Sequence, residues 1–595
     1  MKNKSSIRND LYTRWGEKLD KHCPLNEYPR PQMRRDDWLC LNGIWQYAIR
    51  GSGEPEPAVY DGDIVVPFSP ESLLSGVNRQ LKPGETLWYK RTVWFEKPEG
   101  KRLLLHFGAV DQRCTVYCNG RKAGSHSGGY WPFGFDLTEL TREGDNTLVL
   151  AVTDDSDLGS EAYGKQKLER GGIWYTAQSG VWQTVWAEYV PRQYITDIRI
   201  TPDCRNAEAE FCVEFADGNN IPEYRVQVFE DRQLVSEGVF LETTARLPVR
   251  DFRYWSPDDP FLYKVKITAG EDTVKSYFGM REFDAVRDDS GRLRFTLNGK
   301  PLYQTGLLDQ GYWSDGLYTA PSDEAMVWEI SELKKLGFNM LRKHIKIEPL
   351  RWYYHCDRLG MLVWQDFVSG GGPYKPLVTQ VLPFLNIGLN DKRLRLFGRR
   401  CKEGRAAFLR DMARTIKLLQ NVVSIAVWVP FNEGWGQFDA LRISRTLKNM
   451  DPSRLVDHAS GWHDQGGGDF KSRHIYYKKH RMRPDKYGRV QALTEFGGYS
   501  CPAVGHMASD VLFGYRMYEG EDELTAAYEQ LFTHEVLPPA REGLAASVYT
   551  QVSDVEDEIN GLFTYDRAAM KLREDAVRKI NDALKETIKE QSHEN

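Results

Sequence analysis

Ser424-Ile425-Ala426-Val427-Trp428-Val429-Pro430-Phe431-Asn432-Glu433-Gly434-Trp435-Gly436-Gln437 is the stretch whose reading decides the fold. It opens as a short apolar run, the pattern of a strand buried on both faces. Pro430 ends the run and delivers Asn432 and Glu433 into a segment rich in glycine and tryptophan. Residues 405–420 before it and 438–450 after it read as amphipathic helices. A carboxylate at the C-terminal end of a buried strand between two helices is where a (β/α)8 barrel keeps its catalytic groups. A second one follows in Gln491-Ala492-Leu493-Thr494-Glu495-Phe496-Gly497-Gly498.

Working outward, strand and helix signals alternate from Phe283 onward. Candidate strands are Leu302–Gly306, Phe338–Lys343, Met361–Phe367, Ser424–Phe431, Leu455–Ala459, His474–Tyr477, Ala492–Phe496 and Ala545–Val552. Ser322-Asp323-Glu324 starts a helix over 321–336. A last helix over 566–589 sets Leu572, Ala576, Ile580, Leu584 and Ile588 on one face. These signals predict a TIM barrel over 284–595. The segment from Ser369 to Arg400 has no clear period, and loops of that length usually carry function.

Upstream, the texture is β. Residues 1–190 hold short alternating runs such as Leu87–Phe95, Arg102–Phe107 and Thr147–Val152, with an Asn119-Gly120 hairpin signal. They predict a jelly-roll β-sandwich. Residues 191–283 continue with shorter runs and predict an immunoglobulin-like β-sandwich serving as a spacer.

With 595 residues, two to four domains are expected. A net charge of -5 gives no reason to expect nucleic acid or an anionic membrane as partner. Nine cysteines without a C-x-x-C pair read as reduced thiols. Met1 to Asp10 lacks an apolar leader core and no run approaches a membrane span, so a cytoplasmic protein is expected. The 17 tryptophans and 30 tyrosines suit both β cores and sugar faces. No H-x-x-x-H pair or Cys/His cluster appears, so neither a metal nor an organic cofactor is expected.

Two carboxylates at strand ends are what acid-assisted glycosyl transfer requires: one held protonated for the leaving oxygen, one ionised. Glu433, among Trp428, Phe431 and Trp435, suits the acid because apolar surroundings disfavour its charge. Glu495 beside Thr494 suits the ionised partner.

The chain resembles glycoside hydrolase family 2, the family of β-galactosidases, β-glucuronidases and β-mannosidases, over nearly its whole length. Tyr28-Pro29-Arg30-Pro31 with Leu41-Asn42-Gly43-Ile44-Trp45 resembles the start of that family's sugar-binding domain, and Ser179-Gly180-Val181-Trp182-Gln183-Thr184-Val185-Trp186 its end. Tyr277-Phe278-Gly279-Met280-Arg281 resembles the close of the second domain, and Phe295-Thr296-Leu297-Asn298-Gly299-Lys300-Pro301 the opening of the barrel. Gly337-Phe338-Asn339-Met340-Leu341-Arg342, Asn432-Glu433 and Thr494-Glu495-Phe496-Gly497 follow in family order.

The resemblance implies Glu433 as acid/base and Glu495 as nucleophile of a retaining exo-β-glycosidase. It implies Asn432 on the sugar 2-hydroxyl, Arg342 on Glu495, and Tyr476 donating to the nucleophile. His344, Asp309, Asp366, His458 and Trp462, at or past strand ends, are expected with Trp435 to shape the glycone pocket.

Departures bear on the substrate. Glucuronidases of the family carry Asn-x-Lys where this chain has Glu558-Ile559-Asn560, and an acidic group there opposes a uronate. Neutral β-hexosides are therefore expected to be preferred over β-glucuronides by at least ~100-fold. The galactosidase Ser-His-Tyr-Pro segment and glycone-site Arg-His pair are also replaced, by Lys343-His344-Ile345-Lys346 and Asp309-Gln310. A β-galactosidase-like hydrolase of a carbohydrate substrate is the leading reading. Another β-glycoside specificity (glucuronide, mannoside or glucoside) and transglycosylation are alternatives, as is a non-catalytic carbohydrate-binding protein. A homo-oligomer stays open.

Overall fold

The computed structural model describes residues 7–288, 291–385 and 387–589. Met1 to Ser6 of the N-terminal reading and Asn386 of the long loop lie outside them.

The first sandwich pairs a four-stranded antiparallel sheet (Trp38–Cys40, Val185–Pro191, Lys101–Phe107, Phe133–Asp136) with a six-stranded one running from Gly62–Val66 to Arg121–Ser127. Alternation drives the fold: in Arg113–Cys118 every second residue is buried, joining Trp45, Tyr89, Leu148 and Val185 in one core. The second sandwich packs Ile195–Asp203, Glu208–Phe215 and Thr244–Pro248 against the sheet that contains Tyr224–Glu230 and Tyr263–Ala269. A short three-stranded sheet from Phe283–Arg287 to Lys300–Pro301 leads into the barrel.

Eight parallel strands follow: β1 Gln304–Asp309, β2 Met340–Lys343, β3 Leu362–Asp366, β4 Ile425–Val429, β5 Leu455–Val456, β6 Phe470–Ile475, β7 Val490–Gly497 and β8 Leu544–Thr550. The sheet runs β5-β4-β3-β2-β1-β8-β7-β6, so the barrel is closed except between β5 and β6. Leu308, Met340, Trp364, Val427 and Val429 fill its interior. Leu307, Leu341, Val363 and Trp428, one residue out of step, face the helices.

Helix α1 (Asp323–Lys335) is capped where expected, the Ser322 hydroxyl accepting from the Ala325 amide at 3.1 Å. Helices α2 (Leu350–Leu359), α3 (Lys402–Leu419) and α4 (Ala440–Met450) wrap β2 to β5. The C-terminal helix, α5 (Glu574–Lys589), begins eight residues later than expected. Arg567, at φ 57°, lies in the left-handed region, and its guanidinium is drawn to Glu329 of α1.

Strand β6 departs most from expectation. It begins at Phe470 and ends at Ile475, with Phe470, Ser472 and His474 buried and Lys471, Arg473 and Ile475 only half-buried. The two basic residues mask an ordinary inward–outward alternation.

The jelly roll is locked onto the barrel's catalytic end. The amides of Tyr163 and Gly164 both donate to the Ser369 carbonyl at 3.0 Å, at the root of the long loop after β3. Gly164 has φ +66°, and a Cβ there would sit 3.0 Å from the Ile345 carbonyl, so any larger residue would be strained and crowded in this close approach.

Candidate active site

Alternation within β2 projects Arg342 into the barrel, in register with Leu308 of β1 and Trp364 of β3. Its guanidinium is fully buried and holds five groups. It pairs with both oxygens of Asp366 at 3.0 Å. It donates to Glu495 Oε1 at 3.1 Å, to the Thr494 carbonyl at 3.1 Å and to Asn432 Oδ1 at 2.8 Å. It faces His474 Nε2 at 3.3 Å. A permanently charged fork with this many donors fixes the position of everything around it.

Beyond the end of β4, Glu433 takes φ 50° while its amide donates to the Ser460 carbonyl at 3.0 Å. The left-handed turn carries its carboxyl toward Glu495, a conformation a non-glycine residue adopts only where the surroundings enforce it. Oxygens of Glu433 and Glu495 and a ring nitrogen of His474 all lie within 4.8 Å of one another. Tyr476 donates its hydroxyl to Glu495 Oε2 at 2.5 Å and stacks on Tyr515 at 3.9 Å between centroids.

The two carboxyls sit in unequal fields. Burial pushes Glu433 well above the ordinary carboxyl range, and the neighbouring Glu495 charge adds to it. Burial raises Glu495 too, but the Arg342 charge and the Tyr476 hydrogen bond pull it back. Glu433 therefore keeps its proton where Glu495 has lost it, the division that an acid and a nucleophile need.

Glu433, His474 and Glu495 are also the spacing at which three ligands would hold a metal ion. The His474 Nδ1–Glu433 Oε1 hydrogen bond at 2.8 Å and the 3.3 Å approach of the same nitrogen to Glu495 account for that spacing. The fixed positive charge of Arg342, 3.1 Å from Glu495 and 3.3 Å from His474, opposes a second cation.

Of the other expected pocket residues, Asn432 offers a free donor: Arg342 occupies its Oδ1, and its buried Nδ2 makes no hydrogen bond to the protein. His344 shares the inward parity of Arg342, and its Nδ1 lies 2.9 Å from Asp366 Oδ2. Burial, with Lys165 and Arg342 nearby, holds its imidazole neutral. Trp435 is buried against Trp174, Tyr374 and His344, with ring centroids 5.0, 6.2 and 6.0 Å away. The Trp462 ring lies 6.0 Å from that of His474.

Two expectations fail. Asp309 is in register with Lys343, not Arg342, and so faces outward; it accepts from Lys343 Nζ at 2.6 Å and from the Gly311 amide at 2.8 Å. His458 lies one residue beyond the inward-facing Asp457 and turns out of the barrel, its Nε2 3.2 Å from Asp464. Strand-end position gave the correct end of the barrel but not the face.

Sequence reading missed His474, whose signal was its place two residues before Tyr476. It also missed Lys165, which no barrel motif could reveal. Lys165 arrives from the jelly-roll loop fixed by Ser369 and is buried, its Nζ 3.5 Å from Tyr175 Oη and 5.8 Å from the Trp435 ring centre. Tyr175 in turn donates to Glu558, which also accepts from Asn560 Nδ2 at 3.0 Å.

Three models of one family match the chain: Glycosyl hydrolases family 2, sugar binding domain, over 76–184; Glycosyl hydrolases family 2 over 193–281; and Glycosyl hydrolases family 2, TIM barrel domain, over 286–493. A provisionally named β-glucuronidase of Formosa agariphila is 31% identical over 346 residues, 55% of this chain and 40% of that protein. The chain thus spans well under half of that relative's length. A β-glucuronidase of Streptococcus agalactiae is 24% identical over 70% of each chain, and proteins named β-galactosidase also match. Among solved structures, a β-glucuronidase of Ruminococcus gnavus superposes with a TM-score of 0.73 at 17% identity, covering 94% of this chain and 99% of that one. That likeness is one of fold.

Proposed function

The chain belongs to glycosyl hydrolase family 2, and from that premise we propose that it is a retaining exo-β-glycosidase. The observation that carries this reading is the Glu433–Glu495 pair, with oxygens within 4.8 Å and unequal electrostatic settings. Retaining enzymes keep their carboxyls ~5–5.5 Å apart, whereas inverting ones need ~6.5–9.5 Å to admit a water.

In the first step Glu495 attacks the anomeric carbon, and the aglycone oxygen leaves with the Glu433 proton. In the second, Glu433 takes a proton from water as its oxygen displaces Glu495. In this reading Asn432 Nδ2, the free buried donor, takes the sugar 2-hydroxyl. A proton NMR time course on a nitrophenyl β-glycoside tests the reading: the β-anomer of the product appears first. Initial release of the α-anomer would refute retention, and no release at all would favour a carbohydrate-binding protein.

For the glycone, the same site supports a neutral hexoside, nominally a β-galactoside. Lys165 and Glu558 flank Tyr175, so their charges offset at that end of the pocket. Lys343 and Lys346 are consumed outside the barrel by Asp309, Glu348 and backbone carbonyls. Lys165 also supports a second reading, a β-uronide, because no carboxylate pairs directly with its ammonium among the described residues. Nitrophenyl β-galactoside and β-glucuronide assayed side by side separate the two. The nine cysteines are all free thiols.

A further inference from the structure

His474 sits between the two carboxyls and has no part in the two-glutamate scheme as it stands. Its side chain is wholly buried. Nδ1 lies 2.8 Å from Glu433 Oε1 and 3.3 Å from Glu495 Oε2. Nε2 lies 3.3 Å from Arg342 Nη1 and 3.2 Å from the Ser460 hydroxyl. The ring packs on Gly461, where a Cβ would come within 2.5 Å of the His474 Cγ, so no larger residue could stand there.

This geometry fixes the tautomer. A guanidinium has only donors, so the nitrogen facing it must present a lone pair. On the other side of the ring, Nδ1 faces carboxyl oxygens of both Glu433 and Glu495, which accept. Nε2 is then the acceptor, and the single ring proton sits on Nδ1. Burial and the adjacent Arg342 charge keep a second proton off the ring.

We propose that His474 is a positioning residue for the acid/base: it donates its Nδ1–H to Glu433 Oε1, confining the catalytic proton to Oε2 and aiming it at the glycosidic oxygen. The role rests on the glycosidase reading above. It also spans both halves of the reaction. Once Glu495 is esterified it carries no charge, and the Nδ1–H serves Glu433 alone, which must then act as an ionised base. No proton leaves His474 at any stage. The charge of Arg342 reaches the nucleophile directly and the acid/base through one imidazole.

The test compares His474→Leu, which removes the donor, with His474→Asn, whose amide N–H falls near Nδ1. Aryl β-glycosides of graded leaving-group ability and full pH profiles are the readouts. His474→Leu should lose about 100-fold in kcat/KM on poor leaving groups but less than ~10-fold on dinitrophenyl glycosides, which need little acid assistance. His474→Asn should recover most of the loss. The alkaline limb of kcat/KM should move upward in His474→Leu, because ionised Glu433 has lost a donor. The other groups facing Glu433 (Glu495, Lys165, Arg342, Glu558, Tyr476 and Tyr515) are unchanged.

A uniform loss across leaving groups, an unmoved alkaline limb, or an asparagine variant no better than leucine would each overturn the role. Should His474→Leu fail to fold, nitrogen-15 spectra of the histidine-labelled enzyme decide. A neutral Nδ1–H signal, identified by its absence in His474→Asn, supports the proposal. A neutral Nε2–H or doubly protonated ring refutes it. Normal turnover of unactivated glycosides by Glu433→Ala would instead remove Glu433 as the acid/base, and no turnover of any β-glycoside by the parent would bring down the glycosidase reading itself.

Discussion

Arg342 and Lys343 are consecutive on β2, both buried and both paired with acids, yet the clusters they anchor differ in what is left over. Outside the barrel wall, Lys343 meets Asp309 and Glu348, and Lys346 meets Glu348 and two carbonyls. Each ammonium there is satisfied. Inside, Arg342 is shared among Asp366, Glu495, Asn432 and His474, and the network ends in a carboxyl raised far enough to keep its proton and an amide nitrogen with no protein partner. A closed ionic cluster contributes to a specific fold, whereas an open one is available to a substrate.

The sharpest way to break this comparison is at the inner cluster. Glu495→Gln should lower hydrolysis of an unactivated glycoside by ~10⁴-fold or more, with a thermal midpoint close to the parent's. Initial-rate assays paired with thermal unfolding check it; near-parental turnover would remove Glu495 from the chemistry.

Next is Glu433→Ala. A loss of ~10²–10⁴-fold on poor leaving groups is expected, with azide restoring turnover of dinitrophenyl glycosides because only the base is then missing. In the parent, activity needs Glu433 protonated and Glu495 ionised. The rate should fall as pH rises through the elevated Glu433 value and fall again as pH drops through the Glu495 value. A kcat/KM profile in which Glu433→Gln retained the alkaline limb would assign that limb to another group.

At the outer cluster, Lys343→Met should cost ~3–5 kcal/mol of stability by stranding buried carboxylates. The kcat of the folded fraction should hold. Denaturant titration with active-site counting tests this, and a selective loss of kcat would erase the distinction between the two clusters.

The smallest effect concerns the glycone. With Lys165 offsetting Glu558, the preference for β-galactoside over β-glucuronide should be ~10-fold, less than the departures in sequence alone imply. Lys165→Ala should widen it. Faster glucuronide cleavage by the parent, lost in Lys165→Ala, would instead establish the uronide reading.

Much of this site was legible beforehand. Glu433 and Glu495 stand out because buried parallel strands are apolar runs whose C-terminal ends face the catalytic side. Arg342 and Tyr476 were found through family motifs, and the hydrogen bonds expected of them to Glu495 are present at 3.1 and 2.5 Å. His474 was hidden because Lys471 and Arg473 give β6 a polar look, obscuring a strand whose alternate residues point inward.

The sequence by itself determined the succession of two β-sandwiches and a barrel, since hydrophobic periodicity is a local property of the chain. It also determined which end of the barrel carries the chemistry. Only the tertiary structure decided which face each strand-end residue takes, because register across neighbouring strands put Asp309 outside with Lys343 and Arg342 inside with Asp366. Only the packing of the jelly roll against the loop after β3 brought Lys165 beside Trp435. The physical reason is the same in both cases: a side chain's face follows from its own strand's neighbours, and a charge's partners follow from folding together segments that are far apart in the chain.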